Sequence, residues 1–167
     1  MKRDSVDRLQ RDWKEQRPDL DAERLGLVLR IQALARIFGD QAAERLDEFD
    51  LQWWQYDALS ALRRQGAPFT LPATELAEDN MLTSGAMTNR IDRLENAGLV
   101  ERREDPKDRR RVLVRLTPKG LQRIESAAEA RFRSARAAVS GLTERERQRL
   151  DQLLRKVLLA QEQDAGD

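Results

Sequence analysis

The stretch LTSGAMTNRIDRLENAGLVERREDPKDRRRVLVRLTPKG, Leu82 to Gly120, changes its hydrophobic period halfway along. In the first half Met87, Ile91 and Leu94 recur at i, i+4 and i+7, the spacing that puts three side chains on one face of a helix. Thr83 or Ser84 stands where an N-cap is needed, and Gly98 where such a helix stops. Beyond Gly98 the period drops to two. Val112, Val114 and Leu116 alternate with Leu113, Arg115 and Thr117, and Asp105-Pro106 signals a turn before them. Val100–Glu104 and Val112–Leu116 are therefore predicted as the strands of a hairpin. Its tip carries Lys107, Arg109, Arg110 and Arg111. Four cations at a turn add nothing to a core and suit a surface that meets something negatively charged.

Working outward, Pro72 marks a helix first turn and Thr74 to Glu78 a brief helix, preceded by an extended Pro68 to Leu71. Two helices, a short turn and a basic hairpin in that order are a winged helix-turn-helix. On the N-terminal side, Ser5 to Gln16 is a short helix with Val6, Leu9 and Trp13 on one side, ended by Pro18. From Asp21, Leu27, Ile31, Leu34 and Phe38 repeat at helical spacing, widened by Val28 and Ala35, and a further helix covers Leu51 to Gln65 before Gly66. On the C-terminal side, Thr117-Pro118 caps and starts a long helix to about Val139. Thr143 to Glu146 is a capping box that opens a last helix with Leu150, Leu153, Leu154, Val157 and Leu158 on one stripe, and the closing QEQDAGD is expected to fray. The fold class expected is mainly α with a small β-hairpin wing: residues 1–50 as N-terminal helices, 51–117 as the winged helix-turn-helix, and 118–167 as C-terminal dimerisation helices. Asp21–Phe38 carries more apolar surface than one chain covers, so a homodimer through the terminal helices is expected. A two-fold molecule of this kind wants a pseudo-palindromic double-stranded site with half-sites roughly 10 bp apart.

Charge and composition narrow the function. The 167 residues carry a formal net charge of only +1, yet Thr83 to Arg123 has eleven Lys/Arg against six Asp/Glu, while Asp40 to Ser60 has six acids and one base. A basic third beside an acidic neighbour is the local footprint of an anionic partner. There is no cysteine and no histidine, which excludes disulfides, thiol redox sensing, thiolate metal sites and the commonest general base. No catalytic pairing, glycine-rich phosphate loop, metal site or cofactor is expected. The charged N-terminus lacks a signal-peptide core, and the apolar run Leu25 to Leu29 is too short to cross a bilayer. A cytoplasmic protein, nucleoid-associated when bound to DNA, is the expectation.

The same stretch resembles the MarR family of bacterial transcriptional regulators. The resemblance is carried by the Leu-Glu-x-x-Gly-Leu turn (Leu94 to Leu99), the Asp-x-Arg wing motif (Asp108-Arg109-Arg110) and the Leu-Thr-x-x-Gly ending (Leu116, Thr117, Gly120). It implies sequence-specific DNA binding, with repression the expected mode. The residues agree. With Met87, Ile91 and Leu94 facing the core, Ser84, Gly85, Thr88, Asn89 and Arg93 are left for the major groove, where Asn and Arg read base edges. The first-turn N–H groups with the Thr83 and Ser84 hydroxyls suit a phosphate. Lys107, Arg109, Arg110 and Arg111 would lie along the minor groove, Asp108 pairing with an arginine to hold the turn.

Four further residues suggest a signal. Asp57 sits among apolar positions of its helix and needs a cation. Arg90 lies about 60° from Met87, badly placed for bases and well placed to pair inward. With Arg102 at the wing root and Trp13 on the first helix, the set is similar to that of the urate-responsive branch of the MarR family. That resemblance implies a small aromatic anion as ligand, urate or a xanthine-like purine, an aromatic carboxylate fitting the same chemistry. A ligand-independent DNA-binding protein and a winged-helix protein-interaction module are the competing expectations.

Overall fold

The computed structural model describes residues 3–108 and 110–164. Arg109, expected above as a wing contact, and the chain end from Ala165 onward lie outside the described residues. Among the described residues seven helices and three strands follow in order: α1 Ser5–Gln16, α2 Ala22–Asp47, α3 Trp53–Arg64, β1 Thr70–Pro72, α4 Ala73–Asp79, α5 Ser84–Asn96, β2 Val100–Glu104, β3 Val112–Leu116, α6 Pro118–Ala138 and α7 Glu144–Asp164. The protein is mostly helical, with a small antiparallel sheet in the order β1-β3-β2.

Local chemistry sets most boundaries. The Asp4 carboxylate accepts from the backbone of Val6 and Asp7 to start α1, Asp21 caps α2, and Thr83 accepts from Ala86 N to start α5. Thr143 and Glu146 form the expected reciprocal cap, Glu146 accepting from the Thr143 backbone at 2.8 Å. Gly98 leaves α5 at φ +69, a backbone conformation that glycine adopts without a Cβ penalty. Both strands of the hairpin fall where the alternation puts them, in the register Val100↔Leu116 to Glu104↔Val112.

Three features differ from expectation. The second helix continues past Phe38 through Gly39 to Asp47, because Ala42 and Leu46 extend the i, i+4 series into the core at 2% exposure each. A helix-interior glycine costs only about 1 kcal/mol, which that burial outweighs. The extended segment before Pro72 supplies a third strand, Thr70 pairing with Arg115 and Leu71 with Val114. Pro72 itself is the N-cap of α4, one position earlier than a first-turn residue.

A single cluster binds the centre together. Leu59 and Leu62 of α3, Leu76 of α4, Ile91 and Leu94 of α5 and Ile124 of α6 are all buried within it. Fully burying such a side chain contributes roughly 1.5–3 kcal/mol before ordering entropy is subtracted. The terminal helices are different. Leu27 and Val28 of α2 and the α7 stripe from Leu150 to Leu159 stand exposed, Leu158 by 58%. Exposed apolar faces of that extent are the kind of surface that marks an interaction site.

The α5–α6 junction leaves no room for a side chain against rigid backbone. A Cβ built on Gly120 would fall 1.9 Å from the Leu99 carbonyl oxygen. We expect Gly120→Ala to destabilise the fold by about 1–3 kcal/mol through this overlap, read as a lowered midpoint in thermal or urea unfolding. A variant as stable as the parent would show that α6 shifts at no cost.

Candidate functional site

The exposed side of α5 follows from its buried side. At about 100° per residue, burying Met87, Ile91 and Leu94 turns Gly85, Thr88, Asn89, Asp92 and Asn96 outward. Thr83, Ser84, Gly85, Thr88 and Asn89 are all exposed, at the amino end and along one face. Arg93 departs from expectation. It is exposed, but its guanidinium leans back over the Trp54 ring at 4.6 Å, beside Arg90 at 5.5 Å over the same ring. The cause is spacing: three residues apart on a helix, the two arginines share one side, and the electron-rich indole face of α3 attracts both.

The wing is a built turn. Asp105 accepts from the Lys107 backbone at 2.8 Å, and Asp108 accepts from the Arg110 backbone at 3.0 Å and from its Nε at 3.3 Å. Asp108 thus does hold an arginine at the tip. The Arg110 side chain nevertheless remains 93% exposed. Arg111 is tied down instead, its Nη2 3.0 Å from Glu75 at the first turn of α4. That acid gave no sign in the sequence, being 36 positions away along the chain.

Behind α5 lies a second cluster. Asp57 of α3 is partly buried, and burial lifts its carboxyl above the ordinary range against the opposing pull of Arg90, Arg64 and Arg131. Arg90 is near enough to act on Asp57 by charge, but no ion pair joins the two among the described residues: Arg90 rests on Trp54. Arg131 of α6 also stacks on Trp53, 5.3 Å from its centroid. Sequence reading found neither aromatic platform, since helical spacing says nothing of which side chain crosses between helices.

The other two residues of the expected set stand apart. Arg102 on β2 is spanned by two acids of α5: Nη2 to Asp92 and Nη1 to Glu95, each at 2.5 Å. Its backbone N–H also donates to Glu95 at 3.0 Å. Burial opposes its charge, but the bonds to Asp92 and Glu95 prevail and raise its pKa. Trp13 lies on α1, 42% exposed, beside a surface groove of about 500 Å³ shared with Ser5, Arg8, Leu9, Asp12 and Gln16. The structure therefore brings Asp57 and Arg90 together and leaves Arg102 and Trp13 elsewhere. Among the described residues no group of His, Cys, Asp and Glu could hold a metal ion, and no helix is long and apolar enough to cross a membrane.

Comparison with known proteins places this geometry. The sequence model of the MarR family matches residues 49–111. The HTH-type transcriptional regulator PecS of Dickeya dadantii is 32% identical over 146 residues, 87% of each chain. The multiple antibiotic resistance protein MarR of Salmonella typhimurium is 32% identical over 114 residues, 68% of this chain and 77% of that protein. Among solved structures, a mutant MarR from E. coli complexed with operator DNA is similar at a TM-score of 0.67 and 28% identity, over 87% of this chain and 97% of that one. A MarR family transcriptional regulator from Streptomyces coelicolor in complex with DNA gives 0.71 at 26% identity, over 83% and 88%.

The Asp57 environment makes a prediction about pH. Its carboxyl is raised in the folded state above the value of 3.8 it has when free, with burial the first cause. The folded state then binds protons more tightly than the unfolded one. The stability linked to Asp57 is complete below the unfolded pKa and is lost as pH rises through the folded pKa. Asp57→Asn is therefore expected to melt higher than the parent at pH 7, with the gap closing as pH falls toward 4. Thermal melts across that range check it, and an asparagine variant that melts lower at pH 7 would mean the arginines outweigh burial.

Proposed function

Since the chain belongs to the MarR family and is a DNA-binding transcriptional regulator, we propose that it is a homodimeric repressor whose hold on DNA is released by a small aromatic anion. The observation that carries the DNA half is the exposed face of α5 with its exposed amino end, flanked by a wing whose Arg110 projects into solvent. α5 is the recognition helix on this reading. Asn89 reads base edges in the major groove, and Gly85 lets the backbone approach. Thr83 and Ser84 hold a phosphate at the helix start, and Thr88 faces the major groove. Lys107, Arg109, Arg110 and Arg111 follow the minor groove and its phosphates, and Arg93 reaches DNA by leaving Trp54. The exposed stripes of α2 and α7 supply the two-fold contact, which matches a pseudo-palindromic site.

The ligand half rests on Asp57. A half-buried acid faced by Arg90, Arg64 and Arg131, directly behind the recognition helix, is a place where an added anion changes which charges pair. Urate is the anion we propose, with xanthine-like purines and aromatic carboxylates as chemical neighbours. Arg90 and Arg102 bind it through directed hydrogen bonds, and Trp13 covers one face. Arg102 must leave Asp92 and Glu95 to do so, and Trp13 must approach from α1. Repulsion between the ligand and Asp57 then favours a position of α5 that fits DNA less well, and by reciprocity DNA weakens ligand binding by the same factor.

Two measurements test these halves separately. Arg110→Ala is expected to weaken operator binding by about 1–3 kcal/mol, against no change for Arg133→Ala, an exposed side chain toward the far end of α6. Equal affinities in a fluorescence-anisotropy titration would remove the wing from the interface. Urate at millimolar levels is expected to quench tryptophan fluorescence and dissociate the complex with the DNA beside the protein's own gene. Arg90→Ala, Arg102→Ala and Trp13→Phe each blunt that response, while Asp57→Asn binds urate without release. Wild-type protein blind to urate, xanthine and salicylate leaves a DNA-binding regulator without this ligand, and protein that binds no DNA there sinks the repressor reading.

A further inference from the structure

The outward face of α5 contains an acid, Asp92, which a surface that meets phosphates has to keep from repelling them. Asp92 lies between Asn89 and Asn96 on the side opposite Met87, Ile91 and Leu94, with half of its side chain exposed. A bare carboxylate there would stand among phosphates, each carrying a full negative charge. Arg102 removes the conflict. It reaches across from β2, only 31% exposed, and its two terminal nitrogens sit 2.5 Å from Asp92 and 2.5 Å from Glu95. With the backbone bond from Arg102 to Glu95 at 3.0 Å, three hydrogen bonds tie the root of the wing to the last two turns of α5.

We infer that Arg102 is a positioning residue for DNA binding: it masks the Asp92 carboxylate on the reading face and fixes the wing against the recognition helix. The inference rests on the reading that this face of α5 meets the major groove, and needs no ligand. Arginine suits the task because its planar fork holds two carboxylates at once, which a lysine ammonium does not do with the same geometry. Masking also sets selectivity. With one lone pair of Asp92 engaged by Arg102, its other oxygen is left to accept a hydrogen bond, and among base edges a cytosine amino group is the donor it fits. An anion that draws Arg102 away would unmask Asp92 and free the wing in one step.

A double-mutant cycle on the whole protein tests this. Operator affinity is measured by anisotropy across a salt series for the parent, Arg102→Ala, Asp92→Asn and the double variant, with Arg102→Lys added and thermal melts alongside. The backbone bond at position 102 survives all of these changes. Arg102→Ala alone is expected to bind about tenfold more weakly, and in the Asp92→Asn background the same change costs less than roughly threefold, a coupling of the size neighbouring charges show. Arg102→Lys falls between. Asp92→Asn alone holds non-operator DNA more tightly, lowering the ratio of specific to non-specific affinity. An equal loss from Arg102→Ala in both backgrounds overturns the masking. No loss from Arg102→Ala while Arg110→Ala still weakens binding also overturns it, with the DNA-facing wing intact. If Asn89→Ala and Arg110→Ala both leave affinity unchanged, the reading of α5 as the DNA-facing helix has failed instead.

Discussion

The carboxyl end of α5 is capped by the amino end of α6, and the working parts of the molecule hang from that knot. The Thr117 hydroxyl donates to the Gly98 carbonyl at 2.7 Å and accepts from Gly120 N at 3.0 Å, so one side chain ends a helix and starts another. Its backbone N–H donates to the Leu99 carbonyl, and Lys119 Nζ donates to Ala97 O at 2.8 Å. Orphan carbonyls at a helix end are thereby satisfied by the next helix and not by water. Gly120 is required because the Leu99 carbonyl occupies the place of a Cβ. The exit of α5, the entry to the first wing strand and the start of α6 are consequently tied together at one point.

Competition for cations decides the rest of the site. Arg90 has Asp57 and Trp54 within reach and settles on the ring. The magnitudes explain why. A cation over an indole gains roughly 0.5–2 kcal/mol according to desolvation, whereas an exposed ion pair gains about 0–1. A partly buried carboxylate adds its own desolvation cost to that comparison. Asp57 is thus left with three arginines acting at a distance and none bonded to it, an arrangement with several pairings close in energy. Such a site responds to an added charge more readily than a locked salt bridge would.

The fold was legible wherever it is dictated locally. The change of period at Gly98, the Thr117-Pro118 start, the Thr143 capping box and both wing strands depend on neighbours within four residues, and a sequence displays those. The apolar stripe of α2 was readable only to Phe38, because the burial of Ala42 and Leu46, which carries the helix across Gly39, shows only in the assembled fold. The pairing of β1 with β3 joins residues far apart in sequence through backbone bonds, which no side-chain pattern encodes. At the site the exposed residues of α5 were readable from the buried ones, while the partners of Arg93, Arg102 and Arg111 were not. Each of those guanidiniums crosses to another element, so its partner depends on packing that only the assembled fold provides. Asp92 was visible as an acid and invisible as a problem, because its face is fixed by the helix and its charge by a strand.

The arginines of the wing divide by what already holds them. At the wing root Arg102 is clamped between two acids, and Arg103 pairs with Glu101 at 2.9 Å. On the wing's far strand side Arg111 is bound to Glu75. Toward the tip, Arg110 shares only a 3.3 Å contact with Asp108 and keeps nearly all of its surface in water. If the wing follows DNA as proposed, the salt-dependent part of binding belongs to the tip, because counterions condensed on DNA are displaced by charges that are not already neutralised. The clamped arginines contribute shape in place of charge. Arg102 ties the hairpin to α5 and Arg111 ties it to α4, while Arg103 pairs within its own strand, so the wing is braced against both helices at once.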